Sequence, residues 1–296
     1  MTNQFFTNRD QALVYVIGNF KGGVGKSKTV EMLAFDSAYF KKRRTLVIDL
    51  DPQGNASSVL LNTADIESYK KTIFDGILQN DLQDTIIPVF ENLDVIVADK
   101  SFADFPKYAY THYQQEDDQI RIIRNLIEPL KSEYDVIYID VPPTISIYSD
   151  NAIVASDFVL IVLQTQTKSL EGANNYIEYM NMLIEQFGIR LEVAGIIPYM
   201  MQKSSNVDNA VLSIAKEMYG EFLLDSIVHY QERLKMYDVD GISYNYHKNG
   251  NVDQWDAKAH APFLSILEEV DRHSIAYLQE IPFSEVEEFL SNENGE

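Results

Sequence analysis

Residues Lys21-Gly22-Gly23-Val24-Gly25-Lys26-Ser27-Lys28-Thr29 follow an apolar run, Leu13-Val14-Tyr15-Val16-Ile17. Glycines at this density let successive backbone N–H groups turn inward around an anion. Lys26 adds a point charge toward the outer phosphates, and the Ser27 hydroxyl is placed to ligate Mg²⁺. From Thr29 to Phe40 the chain reads as a helix, so its positive N-terminus points at the same phosphates. The alternative is a glycine-rich turn that binds nothing. A strand, a full loop and a helix in this order argue against it.

Two further segments carry carboxylates. Leu46-Val47-Ile48-Asp49-Leu50-Asp51-Pro52-Gln53-Gly54-Asn55 places Asp49 and Asp51 at the end of an apolar run. Alternate residues of a strand share a face, so both reach the phosphate loop if the strand persists to Asp51. One can then hold the Mg²⁺ shell or the loop lysine, while the other orients water for attack on a terminal phosphoryl group. The competing reading is a strand-end turn whose aspartates cap backbone N–H groups. Tyr134-Asp135-Val136-Ile137-Tyr138-Ile139-Asp140-Val141-Pro142-Pro143 ends in a third carboxylate, the usual placement for one that reaches Mg²⁺ through water. Its two prolines stop the strand and force an extended exit.

These groups need a scaffold. Strands are expected at Val14–Ile17, Thr45–Asp49, Leu93–Val97, Val136–Asp140, Phe158–Leu163 and Val193–Pro198, with a weaker one near Leu223–Val228. Most are nearly continuous apolar runs, as in parallel strands covered on both faces. Helical patterns lie between them, for example Asp118–Lys131 and Leu170–Phe187. The alternation implies an α/β fold, a doubly wound and mostly parallel sheet flanked by helices, with ligands at the carboxyl ends of the strands. We expect a single ATPase domain over 1–296, with a polar N-terminal extension (1–12) and a helical C-terminal extension (about 251–296). That extension has a break near Pro282 and an acidic tail from Ser291 to Glu296. Ser101–Gln119, aromatic and acidic without a clear period, reads as an irregular surface excursion.

The 296 residues carry 46% hydrophobic residues, ample for one large core. Cysteine is absent, which excludes disulfides, thiolate metal sites and iron–sulfur clusters held by this chain. With no spanning apolar stretch and no signal-peptide core at Met1–Asp10, a cytoplasmic protein is expected. The net charge of -21 repels bulk nucleic acid and anionic lipid, so any DNA contact needs a local basic patch.

Together these segments resemble the ParA family of partition ATPases, within the class with a deviant Walker A motif. Lys21 matches the family's signature lysine. Asp49-Leu50-Asp51-Pro52-Gln53-Gly54-Asn55 is similar to its second motif, and Asp140-Val141-Pro142-Pro143 to its Walker B motif. Gln164 and Leu170-Glu171-Gly172 also look like the family. The resemblance implies ATP and Mg²⁺ as cofactors and a homodimer that sandwiches two ATP molecules, with Lys21 reaching the partner's phosphates. It gives Asp51 the hydrolytic water, Asp49 the metal shell and loop, and Ser27 and Asp140 the metal. Adenine is expected near Met200 and Tyr230. The ATP dimer is expected to bind DNA without sequence preference and to associate with the nucleoid. A small centromere-binding protein is expected to stimulate hydrolysis. Size and layout are most similar to the δ partition ATPases of Gram-positive plasmids, whose partner is a ribbon-helix-helix protein. Position 28 departs from the family, being Lys instead of the usual Thr. Only twenty residues precede the loop, so no helix-turn-helix domain is expected there.

The densest basic run, Lys41-Lys42-Arg43-Arg44, could touch DNA phosphates. The favoured reading is that it closes the first helix, where cations meet the negative dipole end. Lys168, Lys203, Lys216, Arg233, Lys235, Lys248 and Lys258 are alternative patch members. Tyr108, Tyr110 and Tyr113 are expected to pack in a loop and not to form a stacking platform. Alternative functions are a positioning ATPase for a protein cargo and a membrane-associated ATPase of the MinD type. The latter needs a basic amphipathic terminal helix, whereas Ile281–Glu296 is acidic. A reductase like the nitrogenase iron protein fails for want of cysteine.

Overall fold

The computed structural model describes residues 2–202 and 205–293. Among these residues eight strands form one sheet: β1 (Leu13–Gly18), β2 (Thr45–Asp49), β3 (Ile86–Phe90), β4 (Leu93–Ile96), β5 (Val136–Asp140), β6 (Phe158–Gln164), β7 (Glu192–Met201) and β8 (Val228–His229). Their order is β3-β4-β2-β5-β1-β6-β7-β8, parallel except for the antiparallel pair β3–β4. The helices are α1 (Thr2–Thr7), α2 (Lys26–Tyr39), α3 (Asn55–Thr63), α4 (Ile73–Gln79), α5 (Phe105–His112), α6 (Glu116–Ile120), α7 (Ile122–Ile127), α8 (Ile147–Ala155), α9 (Thr167–Phe187), α10 (Asn206–Tyr219), α11 (Glu232–Asp240), α12 (Gln254–Gln279) and α13 (Val286–Glu293).

The apolar runs behave as strands covered on both faces. Val14 and Val16 join a core with Ile153 of α8 and Tyr176 of α9. Leu13, Tyr15 and Ile17 join the opposite core with Val30 and Leu33 of α2 and Phe263 of α12. Each such side chain, once buried, contributes roughly 1.5–3 kcal/mol of transfer free energy. Strand β1 lies between β5 and β6. The chain leaves β1 through α2 on one face and passes from β5 to β6 through α8 on the other. Helices departing to opposite faces leave a crevice at the carboxyl ends of the strands, and the glycine-rich loop opens into it.

Several boundaries and one element differ from expectation. Strand β3 is an antiparallel edge containing Pro88, a residue that edge strands tolerate because one side needs no ladder donor. The weak strand near Leu223–Val228 contracts to β8, with Leu223 making only an isolated bridge to Ile196. The pattern over 118–131 is divided among α6, α7 and a 3₁₀ turn at Glu128–Ser132, where Pro129 stops the α-helix. Ser101–Gln119 is not irregular: it forms a 3₁₀ turn and α5 and enters α6, and Phe102, Phe105 and Ala109 are fully buried. The N-terminal segment is a helix whose Phe6 is buried and whose Asn3 side chain bonds Arg43 and the Lys41 carbonyl. Toward the C-terminus, α12 and α13 flank Pro282. No described helix is long and apolar enough to cross a membrane.

Candidate active site

Strand β1 ends at Gly18, and Asn19 turns the chain into the loop. Its side-chain amide donates to the Val162 carbonyl (2.8 Å), and its oxygen accepts the Lys21 N–H (2.8 Å). Gly23 and Gly25 have φ of 72° and 100°, the left-handed region that side chains avoid. At Gly25 a Cβ would also stand 2.2 Å from the Tyr199 ring. Helix α2 starts at Lys26, one turn earlier than the pattern suggested, so Lys26, Ser27 and Lys28 form its first turn. Their backbone N–H groups lack intrahelical acceptors and are free for an anion. Lys26 is buried, and burial lowers its pKa against the opposing charges of Asp140 and Asp51.

Asp49 and Asp140 end neighbouring parallel strands in direct register. Their environments differ. Asp49 accepts from the Asp51 N–H (2.9 Å), the Ser57 N–H (2.9 Å) and the Ser57 hydroxyl (2.7 Å). Burial raises its pKa to about 6 against those bonds. Both oxygens of Asp140 are buried without a hydrogen-bond partner. Burial, then the charge of Asp49, pushes its pKa far above the carboxylate range; Ser27 and Lys26 offset only part of this. A buried carboxylate with no hydrogen-bond partner, beside a hydroxyl and a lysine, fits a cation ligand. The donor set is all oxygen, which suits Mg²⁺ completed by water and phosphate. Strand β2 stops at Asp49, so Asp51 arrives by a turn. Its carboxylate accepts the Gln53 N–H (2.9 Å), and Asp51 lines the cavity beside the loop.

That cavity has a volume of about 560 Å³ and is lined by Gly23, Gly25, Lys26, Ser27, Lys28 and Asp51 on the loop side. Met200 lines it too, with Tyr199 against Gly25 and with Gln231, Leu234 and Asp238 of the α11 region. Tyr230 is not part of this lining. Its ring lies in a neighbouring cavity with Lys258, and its hydroxyl donates to Glu232 (3.1 Å). Gly22 packs near Pro143, and Val24 is fully buried.

Lys21 points away from Lys26. Its ammonium donates to Gln166 Oε1 (2.7 Å), Ser169 Oγ (2.9 Å) and Gln164 Oε1 (3.3 Å), all uncharged. Burial, then Lys168, lowers its pKa. Gly172 explains the close approach of α9: a Cβ there would lie 2.9 Å from Asn19 Oδ1 and 3.6 Å from Lys21 Cβ. Asn19, Ser57, Tyr199, Gln166, Ser169 and Asp238 complete the site and were not singled out in the sequence. Only Asn19, the first polar residue after an apolar strand, carried a local signal.

The basic run is engaged internally. Arg43 is 1% exposed and forms a bidentate pair with Asp271 (2.8 and 2.6 Å), while Arg44 binds Asp135 (2.6 Å) and Lys41 binds Glu268 (3.2 Å). Lys42 lies over the Tyr39 ring. Among the other cations, Arg233 is held by Asp256 (2.6 Å) and Lys216 by Asp225 (3.1 Å). Lys235 lies over Tyr230, and Lys258 over Trp255. Lys168 and Lys248 are exposed, and Lys203 lies outside the described residues. Tyr108 packs partly buried against the core, Tyr113 likewise, and Tyr110 is exposed.

A phosphate loop with an additional lysine, two strand-end carboxylates and a parallel sheet define a P-loop nucleotide-binding fold. Residues 12–193 match the family model described as "AAA domain". The chain is 32% identical over 224 residues to the sporulation initiation inhibitor protein Soj of Bacillus subtilis, covering 75% of this chain and 85% of Soj. It is 31% identical over 223 residues to the chromosome partitioning protein ParA of Myxococcus xanthus, covering 75% and 76%. A putative plasmid partition protein from Borrelia burgdorferi, solved with AMPPNP, shares the fold with a TM-score of 0.70 at 22% identity, over 92% of this chain and 100% of that one. The chain belongs to the ParA family of partition ATPases.

Proposed function

We propose that this protein is a Mg²⁺-dependent ATPase that segregates DNA by cycling between an ATP-bound dimer on nonspecific DNA and a released state. The observation that carries this is the pairing of the loop with Asp140, a buried carboxylate lacking any partner beside Ser27 and Lys26. Ser27 and Asp140 would hold Mg²⁺, which when bound offsets phosphate charge. Lys26 and the first N–H groups of α2 bind and orient the outer phosphates. Asp51, exposed to the cavity and anchored by the Gln53 N–H, positions the attacking water. Asp49 is saturated by Ser57 and Asp51, which favours its supporting the loop over its ligating the metal.

Lys21 serves the dimer. Its three acceptors are neutral, so little Coulomb energy holds it in place, and phosphate charge from a second subunit competes readily. Two such lysines neutralise charge that would otherwise repel across the interface, and loss of the terminal phosphate removes that attraction. Candidate DNA contacts are Lys235 and Lys258, whose ammonium groups lie over the Tyr230 and Trp255 rings. A small centromere-binding partner, of the ribbon-helix-helix kind, stimulates hydrolysis. The test is binding to nonspecific duplex DNA at one low salt concentration with ATP, ADP or no nucleotide. ATP-dependent binding that disappears in Lys26→Ala supports the reading; binding that ignores nucleotide, or no binding at all, contradicts it.

A further inference from the structure

Lys28 is the loop residue that departs from the family and has no role in the reading above. In the structure its ammonium bridges two carboxylates: Glu31 on its own helix and Asp238 on α11, each at 2.5 Å. Glu31 is buried and Lys28 nearly so (2% and 11% exposed), whereas Asp238 is 56% exposed. The bridge to Asp238 therefore stands at the rim of the nucleotide cavity, and both of its residues line that cavity. Burial raises the Glu31 pKa to about 8, so near pH 7 the Lys28 charge is met chiefly by Asp238.

Helix α11 is fixed elsewhere along its length. Arg233 and Tyr237 both bond Asp256 of α12 at 2.6 Å, and Leu234 is buried. The Val239 carbonyl accepts from Asn62 of α3 (3.4 Å). Asp238 is thus the residue of α11 that reaches the first turn of the phosphate-loop helix. With phosphates at Gly23–Ser27, the part of the cavity left for a base is lined by Met200, Gln231 and Leu234.

We propose that Lys28 and Asp238 form a clasp holding α11 over the base end of a bound nucleotide, so that Asp238 is a positioning residue that sets nucleotide residence time. This rests on the cavity being the nucleotide site. The clasp acts on release and not on phosphoryl transfer, since neither ammonium nor carboxylate is free to face the terminal phosphate. The ion pair lies at an exposed rim, so its hold weakens as salt rises.

The test is stopped-flow release of N-methylanthraniloyl-ATP, with Mg²⁺ and an ATP chase, from the wild type, Asp238→Asn, Asp238→Glu and Lys28→Thr. Because Lys28→Thr strands Glu31 in the interior, the exposed Asp238 variants carry the conclusion. Release should quicken about fivefold in Asp238→Asn, the range expected for losing a partly exposed ion pair. It should stay near the wild-type rate in Asp238→Glu. Between about 0.05 and 0.5 M salt the wild-type rate should rise toward that of Asp238→Asn, which itself changes little. A merely structural role for Asp238 would not move this salt response. Equal release from wild type and Asp238→Asn, or equal salt responses, overturns the clasp while leaving the nucleotide site intact. A wild type that binds no nucleotide overturns both.

Discussion

Asp49 and Asp140 stand side by side at the ends of neighbouring parallel strands, yet one carboxylate accepts three hydrogen bonds and the other accepts none. The same residue type at matching strand positions therefore serves two purposes. Asp49 stitches β2 to the start of α3, and Asp140 is the carboxylate we propose for Mg²⁺. Substitutions at the two positions should separate stability from activity.

Asp140→Asn should leave the fold as stable as the wild type or more so, because it exchanges a buried carboxyl group that no protein group hydrogen-bonds for an isosteric amide. Mg²⁺-dependent ATP hydrolysis should fall by about a hundredfold or more, the scale of removing one electrostatic contributor to phosphoryl transfer. Thermal unfolding and phosphate release on the same preparation check both. A destabilised protein with full activity would place the metal elsewhere.

Asp49→Ala should act in the opposite sense. It strands the Ser57 hydroxyl and N–H and the Asp51 N–H, and should destabilise by about 2–4 kcal/mol in urea unfolding. Asp49→Asn, which keeps an acceptor, should recover part of that loss. An Asp49→Ala variant as stable as the wild type would remove the supporting role.

Arg43→Ala should destabilise by about 3–5 kcal/mol, because it leaves Asp271 buried without its guanidinium. Replacing both partners with apolar residues, Arg43→Met with Asp271→Leu, should recover most of it. DNA affinity of that folded double variant should match the wild type. A loss of DNA binding there would return the basic run to the DNA interface.

Asp150, on α8, gives a pH signature of its own. Burial raises its pKa to about 6, while the Tyr179 hydroxyl, donating at 2.6 Å, partly opposes this. Since the folded value exceeds the unfolded one, the contribution is fully present below about pH 4 and is lost as pH rises through 6. Asp150→Asn should match the wild type near pH 4 and exceed its stability by up to about 3 kcal/mol at pH 8. Urea midpoints across that range measure the difference, and parallel pH profiles would refute it.

The sequence exposed features written locally. Glycine spacing marked the phosphate loop, and uninterrupted apolar runs marked β1, β2, β5 and β6 almost to their ends. It concealed features that depend on partners far away in the chain. Phe6 sits in a polar segment, and only packing against Arg43 shows that it belongs to the core. Ser101–Gln119 lost its helical period because short helices with Pro106 and 3₁₀ turns break the repeat. Nothing near Lys28 in the sequence announces its partner Asp238, which α11 supplies from 210 residues downstream. Asp49 and Asp140 look alike in sequence, and Ser57 alone accounts for two of the three bonds that distinguish them.

Sedimentation with a nonhydrolysable ATP analogue and Mg²⁺ tests the dimer switch most directly, comparing the wild type with Lys21→Ala. The wild type should sediment as a dimer. Lys21→Ala should bind the analogue and remain a monomer, because its phosphate loop is intact and only the ammonium held by Gln164, Gln166 and Ser169 is missing. A Lys21→Ala protein that dimerises like the wild type, or a wild type that stays monomeric while saturated with analogue, would contradict the ATP-dependent dimer.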